Sequence, residues 1–234
     1  LRGTAVVTGG ASGIGASVVD RLEREGFDVA VFDLAGGTHT VDVCDEAAVG
    51  EAIDDVATRY GRLDVVVAAA GGGSGRLGDN RASSLDPDVL RKSLELNLFG
   101  TVHVCTAASP HLVRAGQGAI VTVGSVNGVE TTPDGSYAHY GTAKAALAGY
   151  TRYLAQDLAP AGIRVNHVAP GPVGTDRMKA KYAAAGVDQA LGIPVGRAAA
   201  PSEIADAIWF LADPTAAFLT GATLVIHGGL VRAI

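Results

Sequence analysis

Tyr140 and Lys144 stand four residues apart in the run Tyr140-Gly141-Thr142-Ala143-Lys144, and none of the other tyrosines has a lysine at that spacing. On a helix, residues four apart share a face, so phenol and ammonium can point into one cleft. A free tyrosine titrates near pH ~10 and is a poor base at neutrality. A cation held beside it favours the phenolate, which lets one oxygen give or take a proton near working pH. Such pairs also arise by chance, so what this one does depends on the elements that hold it.

Those elements alternate between strand and helix. Residues 4–8 are a short apolar, β-branched run, followed by the glycine-rich stretch 9–15 and a helical pattern with Ile14, Val18 and Leu22 at steps of four, stopped at Gly26. Residues 29–32 form a second buried strand ending in Asp33. Only residues 34–40 separate it from a third strand expected at 41–43, so the usual crossover helix is either reduced to a loop or missing from the chain. Val49, Ile53, Val56 and Tyr60 mark a helix, residues 63–70 a strand and the glycine-rich 71–78 a loop. Asp86-Pro87 opens one long helix that closes near Gly116. Residues 119–123 are a strand, 138–158 the helix carrying Tyr140 and Lys144, and 163–169 a strand ended by Pro170-Gly171-Pro172. A mixed stretch at 176–200, a short amphipathic helix at 201–211 and a last strand at 223–226 complete the chain. This is the α/β pattern of a single domain, a Rossmann-type doubly wound parallel sheet of about seven strands with helices on both faces. Ligands in such sheets bind at the carboxyl ends of the strands, where Asp33, Gly71, Ser125 and Pro170 all fall.

Composition narrows the function classes. A chain 48% hydrophobic with 32 glycines and only 18% charged residues suits strands buried on both faces. With 18 basic against 24 acidic residues the net charge is −6, and no basic cluster offers a surface for nucleic acid. Cys44 and Cys105 fit no zinc spacing and read as reduced thiols of a cytoplasmic protein. No signal-peptide pattern and no apolar run long enough to span a bilayer is present, so no membrane association is expected.

Thr8-Gly9-Gly10-Ala11-Ser12-Gly13-Ile14-Gly15 joins the first strand to the first helix. Glycines there let the backbone approach a diphosphate, which the helix N-terminus favours with unpaired N–H groups and partial positive charge. The spacing G-x-x-x-G-x-G lacks the lysine of a nucleoside-triphosphate loop. Asp33 at the end of the second strand can accept both hydroxyls of an adenosine ribose and would repel a 2′-phosphate, while Ser12 brings no cation to offset it. The expected cofactor is therefore NAD(H) rather than NADP(H). Asp42 and the N–H of Val43 could bond the adenine edge.

Taken in order, these pieces make the chain resemble a short-chain dehydrogenase/reductase over nearly its whole length. The matching segments are the Thr8 to Gly15 turn, Asp42-Val43, Ala68-Ala69-Ala70-Gly71, Asn97 in Leu96-Asn97-Leu98-Phe99-Gly100, Ser125, and Tyr140 with Lys144. They continue with Asn166, then Pro170-Gly171-Pro172-Val173-Gly174-Thr175, and the ending from Thr220-Gly221 to Gly228-Gly229. The resemblance implies that Ser125 holds the substrate oxygen, Tyr140 exchanges a proton with it, Lys144 lowers the tyrosine pKa and binds the nicotinamide ribose, and Asn97 anchors a water linking Lys144 to solvent. It implies cofactor contacts from Gly9, Ser12, Gly13, Ile14, Gly15, Asp33, Leu34, Asp42, Val43, Ala69, Ala70, Gly71, Tyr140, Lys144, Pro170, Gly171, Val173 and Thr175. The Val173 backbone and the Thr175 hydroxyl would fix the nicotinamide carboxamide. A dimer or tetramer, built on the helices at 86–115 and 138–158 and the C-terminal strand, is also implied.

The chain departs from the family pattern at Ala68 and Ala69, where the family usually has asparagine. It departs again in the interval from Ser125 to Tyr140, about two residues longer than common, with the extra length placed at 129–136 beside the substrate. His139 points roughly 100° from Tyr140 on a helix and is left out of the chemistry. His103, His111 and His167 show no ligand spacing, and no metal site is expected. The reading is an NAD(H)-dependent oxidoreductase interconverting a secondary alcohol and a ketone, with a substrate lid at about 176–200. The alternatives are a 3-oxoacyl thioester reductase and a catalytically silent dinucleotide-sensing protein; polyol, cyclic-ketone and steroid-like substrates all stay open.

Overall fold

In the computed structural model, which describes residues 3–188, 190 and 192–230, seven strands form one parallel sheet. They are β1 (Gly3–Thr8), β2 (Phe27–Asp33), β3 (His39–Thr40), β4 (Val65–Ala68), β5 (Gly118–Val123), β6 (Ile163–Pro170) and β7 (Thr223–Ile226), in the order β3-β2-β1-β4-β5-β6-β7. Side chains alternate across a strand, and this alternation divides the core in two. Val6, Phe32, Val66, Ile120 and Val165 face α2 (Glu46–Tyr60), α4 (Gly100–Ala115) and α5 (Ala138–Leu158). Ala5, Val7, Val67, Val121 and Val168 face α1 (Gly13–Arg24) and α7 (Pro201–Ala212).

The direction of strand order reverses between β1 and β4, so the loops that leave their carboxyl ends part there and open a crevice. The link after Asp33 is a loop, and the third strand lies at His39–Thr40 rather than at 41–43. β3 pairs only with the last two residues of β2, His39 with Phe32 and Thr40 with Asp33, so the chain need not travel back along a whole strand and no crossover helix is required. Beyond Thr40 the Asp42 carboxylate accepts from the Cys44 N–H and its carbonyl from Asp45 N, a turn that takes the chain off the sheet.

The long helix expected from Asp86 to about Gly116 is present but interrupted. It runs as α3 (Pro87–Leu94), capped by Asp86, then a π segment (Glu95–Phe99), then α4, ended by Gly116 in the left-handed conformation. Over the expected lid, α6 spans Asp176–Ala185, capped by the Thr175 hydroxyl, and turns follow it; residues 189 and 191 of that stretch lie outside the described residues.

Candidate active site

Carboxyl ends of β1, β2, β4, β5 and β6 converge on one cavity of about 1270 Å³, large enough for a dinucleotide with a small second ligand. Its floor at one end is the turn after β1. Gly9 and Gly13 have φ of 67° and 56°, and a Cβ on Gly9 would come 2.9 Å from the backbone of Ala70. Gly15 lies so close under the turn that a Cβ would meet the Gly9 carbonyl oxygen. Only a chain without side chains here can lay the helix N-terminus bare to a ligand. Gly9, Ser12, Gly13, Ile14 and Gly15 all line the cavity, as do Asp33, Leu34, Asp42 and Val43.

Asp33 is tied back to the glycine turn: Oδ2 accepts from Ala11 N at 3.0 Å and Oδ1 from Leu34 N at 2.8 Å. Each oxygen keeps a lone pair for a further donor. Next to Ala68 and Ala69, where side-chain bonds were expected to be missing, Ala69 and Ala70 donate their backbone N–H groups to the Thr8 hydroxyl at 3.1 Å. That hydroxyl pins the end of β4 to the end of β1 and leaves Ala69, Ala70 and Gly71 facing the cavity.

At the other end Ser125 leaves β5, and Tyr140 and Lys144 project from the first turns of α5 into the same space. The Lys144 ammonium donates to the Val123 carbonyl at 2.8 Å and sits 5.7 Å from the centre of the Tyr140 ring. Burial governs both groups. It pushes the Lys144 ammonium down to about 7, helped by the nearby Arg177 charge. It raises the Tyr140 phenol, against which a hydrogen bond with the Ser125 side chain and the charge of Arg177 act in the lowering direction. The expected lowering of the phenol by Lys144 does not appear here: the groups that act in that direction are Ser125 and Arg177, and desolvation outweighs them.

Asn97 is fully buried behind the cavity wall. The π segment turns its amide onto the loop after β4, where Oδ1 accepts from Gly72 N at 2.8 Å while Nδ2 donates to Gly72 O and Ser93 O. Gly71 fits between Asn97 and Lys144: a Cβ would come 2.6 Å from Asn97 Oδ1 and 3.2 Å from the Lys144 ammonium. Pro170, Gly171, Val173 and Thr175 line the opposite side. The Thr175 hydroxyl accepts from Met178 N as the α6 cap.

Residues 130–134 and 136, in the lengthened interval after Ser125, border the cavity as expected. His139 is fully buried, 3.4 Å from the Ser74 hydroxyl and 5.2 Å from the Tyr137 ring centre, and is not among the residues lining the cavity. His167 is also buried, with Nδ1 2.7 Å from the Thr122 hydroxyl, and desolvation holds it down at about 4. His103 contacts the Val43 carbonyl and His111 pairs with Asp54. Among the described residues no cluster could hold a metal, and no helix is long and apolar enough to cross a membrane.

Sequence reasoning passed over three cavity residues. Tyr137, the residue before α5, has φ 61°, a conformation rare and strained for a bulky side chain, and its ring meets that of Tyr140 edge-on at 6.1 Å. Arg177 and Lys181 project from α6 over the loop after β4. Their one-turn spacing was visible, but nothing local says which face of α6 meets the cleft.

A family model described as enoyl-(acyl carrier protein) reductase matches residues 9–231. A cyclohexanol dehydrogenase of Rhodococcus sp. (strain TK6) is 38% identical, the match covering 98% of this chain and 97% of that protein. The cis-4-hydroxycyclohexanecarboxylate dehydrogenase of Sinomonas cyclohexanicum is also 38% identical, over 96% of this chain and 95% of that one. Among solved structures, a short-chain type dehydrogenase/reductase from Mycobacterium ulcerans superposes with a TM-score of 0.89 at 28% identity, covering 98% of this chain and 90% of that one. ElxO with NADP bound does so at 0.91 and 26%, covering all of both chains. With a family model matching nearly all of it and a dehydrogenase relative 38% identical over 98% of its length, the chain belongs to the short-chain dehydrogenase/reductase family.

Proposed function

We propose that the protein is an NAD(H)-dependent oxidoreductase that interconverts a secondary alcohol and a ketone on a small ring-sized substrate. The observation that carries this reading is the convergence of Ser125, Tyr140 and Lys144 on a cleft whose far end is a glycine turn too tight to take a Cβ at Gly9 or Gly15. The two relatives at 38% identity, both named for cyclohexane alcohols, support a cyclic substrate. A 3-oxoacyl-[acyl-carrier-protein] reductase of Escherichia coli (strain K12) is 32% identical and gives the thioester alternative weaker support.

A nicotinamide dinucleotide, when bound, accepts or returns a hydride at its ring. The residues present fit it: the N-terminus of α1 and its glycine turn would take the diphosphate, Asp33 the adenosine ribose, Lys144 the nicotinamide ribose, and 170–175 the nicotinamide. Ser125 and Tyr140 would hold the substrate oxygen by two hydrogen bonds. As the alcohol is oxidised, Tyr140 takes the hydroxyl proton; in the reverse direction it returns the proton to the developing alkoxide, which both hydroxyls stabilise. Lys144, once supplied with hydroxyl partners, would regain charge and favour the tyrosinate. Asn97, through Gly72, holds the loop against which Lys144 lies.

Asp33 supports NAD over NADP, because a carboxylate with spare lone pairs welcomes ribose hydroxyls and repels a phosphate. The 176–200 stretch is the substrate lid in this reading: α6 buries none of its residues and reaches the loop after β4 through Arg177 and Lys181. The exposed Tyr153 of α5 and Phe218 are the surface on which a homodimer or homotetramer would form. Free Cys44 and Cys105, pushed up to about 11 and about 12 by burial, are unreactive thiols suited to the cytoplasm.

Purified protein given NAD+ and cyclohexanol should form NADH, and given NADP+ should form far less NADPH. Turnover with NADP+ equal to that with NAD+ removes the role given to Asp33. No turnover with NAD+ across a panel of secondary alcohols removes the enzymatic reading in favour of a silent binding protein.

A further inference from the structure

Arg177 and Lys181 lie one turn apart on α6 and overhang the reacting end of the cleft. The Arg177 guanidinium reaches the Gly71 carbonyl at 3.4 Å and packs so tightly on Gly72 that a Cβ there would come 2.3 Å from Nη2. Its charge is felt at both Tyr140 and Lys144, which fixes it beside the chemistry rather than at the adenosine end, where Asp33 stands. Lys181 touches the Tyr137 phenol oxygen, lies 4.7 Å from the centre of that ring, and reaches the Gly73 carbonyl only at 3.5 Å.

Neither cation is held in a salt bridge among the described residues. The carboxylate whose charge reaches Lys181 is Asp79, and its Oδ2 already accepts from Arg76 N. Asp176, at the start of the same helix, faces Lys179 at 3.7 Å. Contacts of 3.4 and 3.5 Å to carbonyl oxygens are at the weak limit of hydrogen bonding and would be exchanged for a charged acceptor. A guanidinium gives a carboxylate two parallel hydrogen bonds, and each charge-assisted bond is about twice as strong as a neutral one.

Resting on the oxidoreductase reading above, we infer that Arg177 and Lys181 form an anion subsite, and that the substrate is a small hydroxy or keto acid. Its carbinol or carbonyl oxygen lies at Ser125 and Tyr140, its apolar body lies along Tyr137, and its carboxylate bridges to Arg177 and Lys181. Arg177 and Lys181 are specificity-determining residues in this account and take no part in the proton transfer.

The test is a binding measurement that does not depend on turnover. Cyclohexanecarboxylate and its uncharged carboxamide are titrated calorimetrically into the protein saturated with NADH. The carboxylate should bind about tenfold or more tightly, with a preference that shrinks as salt is raised. Arg177→Gln and Lys181→Gln should each cut that preference to within about threefold while leaving NADH affinity unchanged. Equal binding of the two ligands, a preference that survives Arg177→Gln, or a variant that loses NADH instead of the carboxylate overturns the subsite. Turnover of uncharged alcohols without any carboxylate preference sinks this inference alone. A carboxylate preference in a protein that turns over no alcohol sinks the oxidoreductase reading alone.

Discussion

Burial and charge compete at Lys144, and burial prevails. With its ammonium pushed down to about 7 from an ordinary value of 10.5, the folded state binds fewer protons than the unfolded chain between those limits. Stability therefore rises with pH through that window, and below about 7 the native state carries the whole cost of a charged, desolvated lysine. Lys144→Met should be more stable than the parent protein by a margin that is largest near pH 6 and shrinks towards pH 10, read by denaturant unfolding at each pH. A margin independent of pH contradicts the desolvation of Lys144. At the adenosine end, Asp33→Asn keeps the acceptor for Ala11 N but loses the negative charge. It should weaken NADH binding by about tenfold and raise NADPH affinity, measured by fluorescence titration; unchanged selectivity separates Asp33 from cofactor choice.

Among the elements, α5 and the glycine turn were legible because their signals are local: a helical repeat running unbroken through Tyr140 and Lys144, and glycines placed between a β-branched run and an amphipathic one. Their meeting in one cavity followed from strand alternation and the ends of strands. The π segment was not legible, because Glu95–Phe99 carries ordinary helix formers and its extra residue per turn is set by what Asn97 meets 25 residues away, at Gly72. The third strand was misplaced for a similar reason: its register is decided by pairing with Phe32 and Asp33, not by the apolar residues at 41 and 43. The left-handed Tyr137 gave no signal at all, since a bulky residue is the last choice for that conformation. Removing the Asn97 amide leaves the Gly72 N–H without its acceptor inside the protein. Asn97→Ala should lower stability by about 1–3 kcal/mol in thermal unfolding and raise KM for the alcohol more than Asn97→Asp, which keeps an acceptor. Equal stability of Asn97→Ala and the parent rejects the role given to the π segment.

For the molecule as a whole, the sheet is a platform whose candidate site lies on one rim, with helices covering both faces and α6, none of whose residues is buried, beside the cavity. A ligand that fills this rim should stabilise the fold by mass action, about 2.7 kcal/mol at a concentration one hundred times its Kd. For a chain of this length NADH should raise the melting temperature by roughly 5–10 °C, and NADPH at equal concentration by much less. The proposed reaction depends on one oxygen, that of Tyr140, which bonds the Ser125 side chain. The most direct measurement is NADH formation in a single turnover with saturating NAD+ and cyclohexanol, comparing the parent protein with Tyr140→Phe. The rate should fall by about a hundredfold to ten-thousandfold while NADH binds both proteins with equal affinity; a phenylalanine variant that forms NADH at the parent rate contradicts the account.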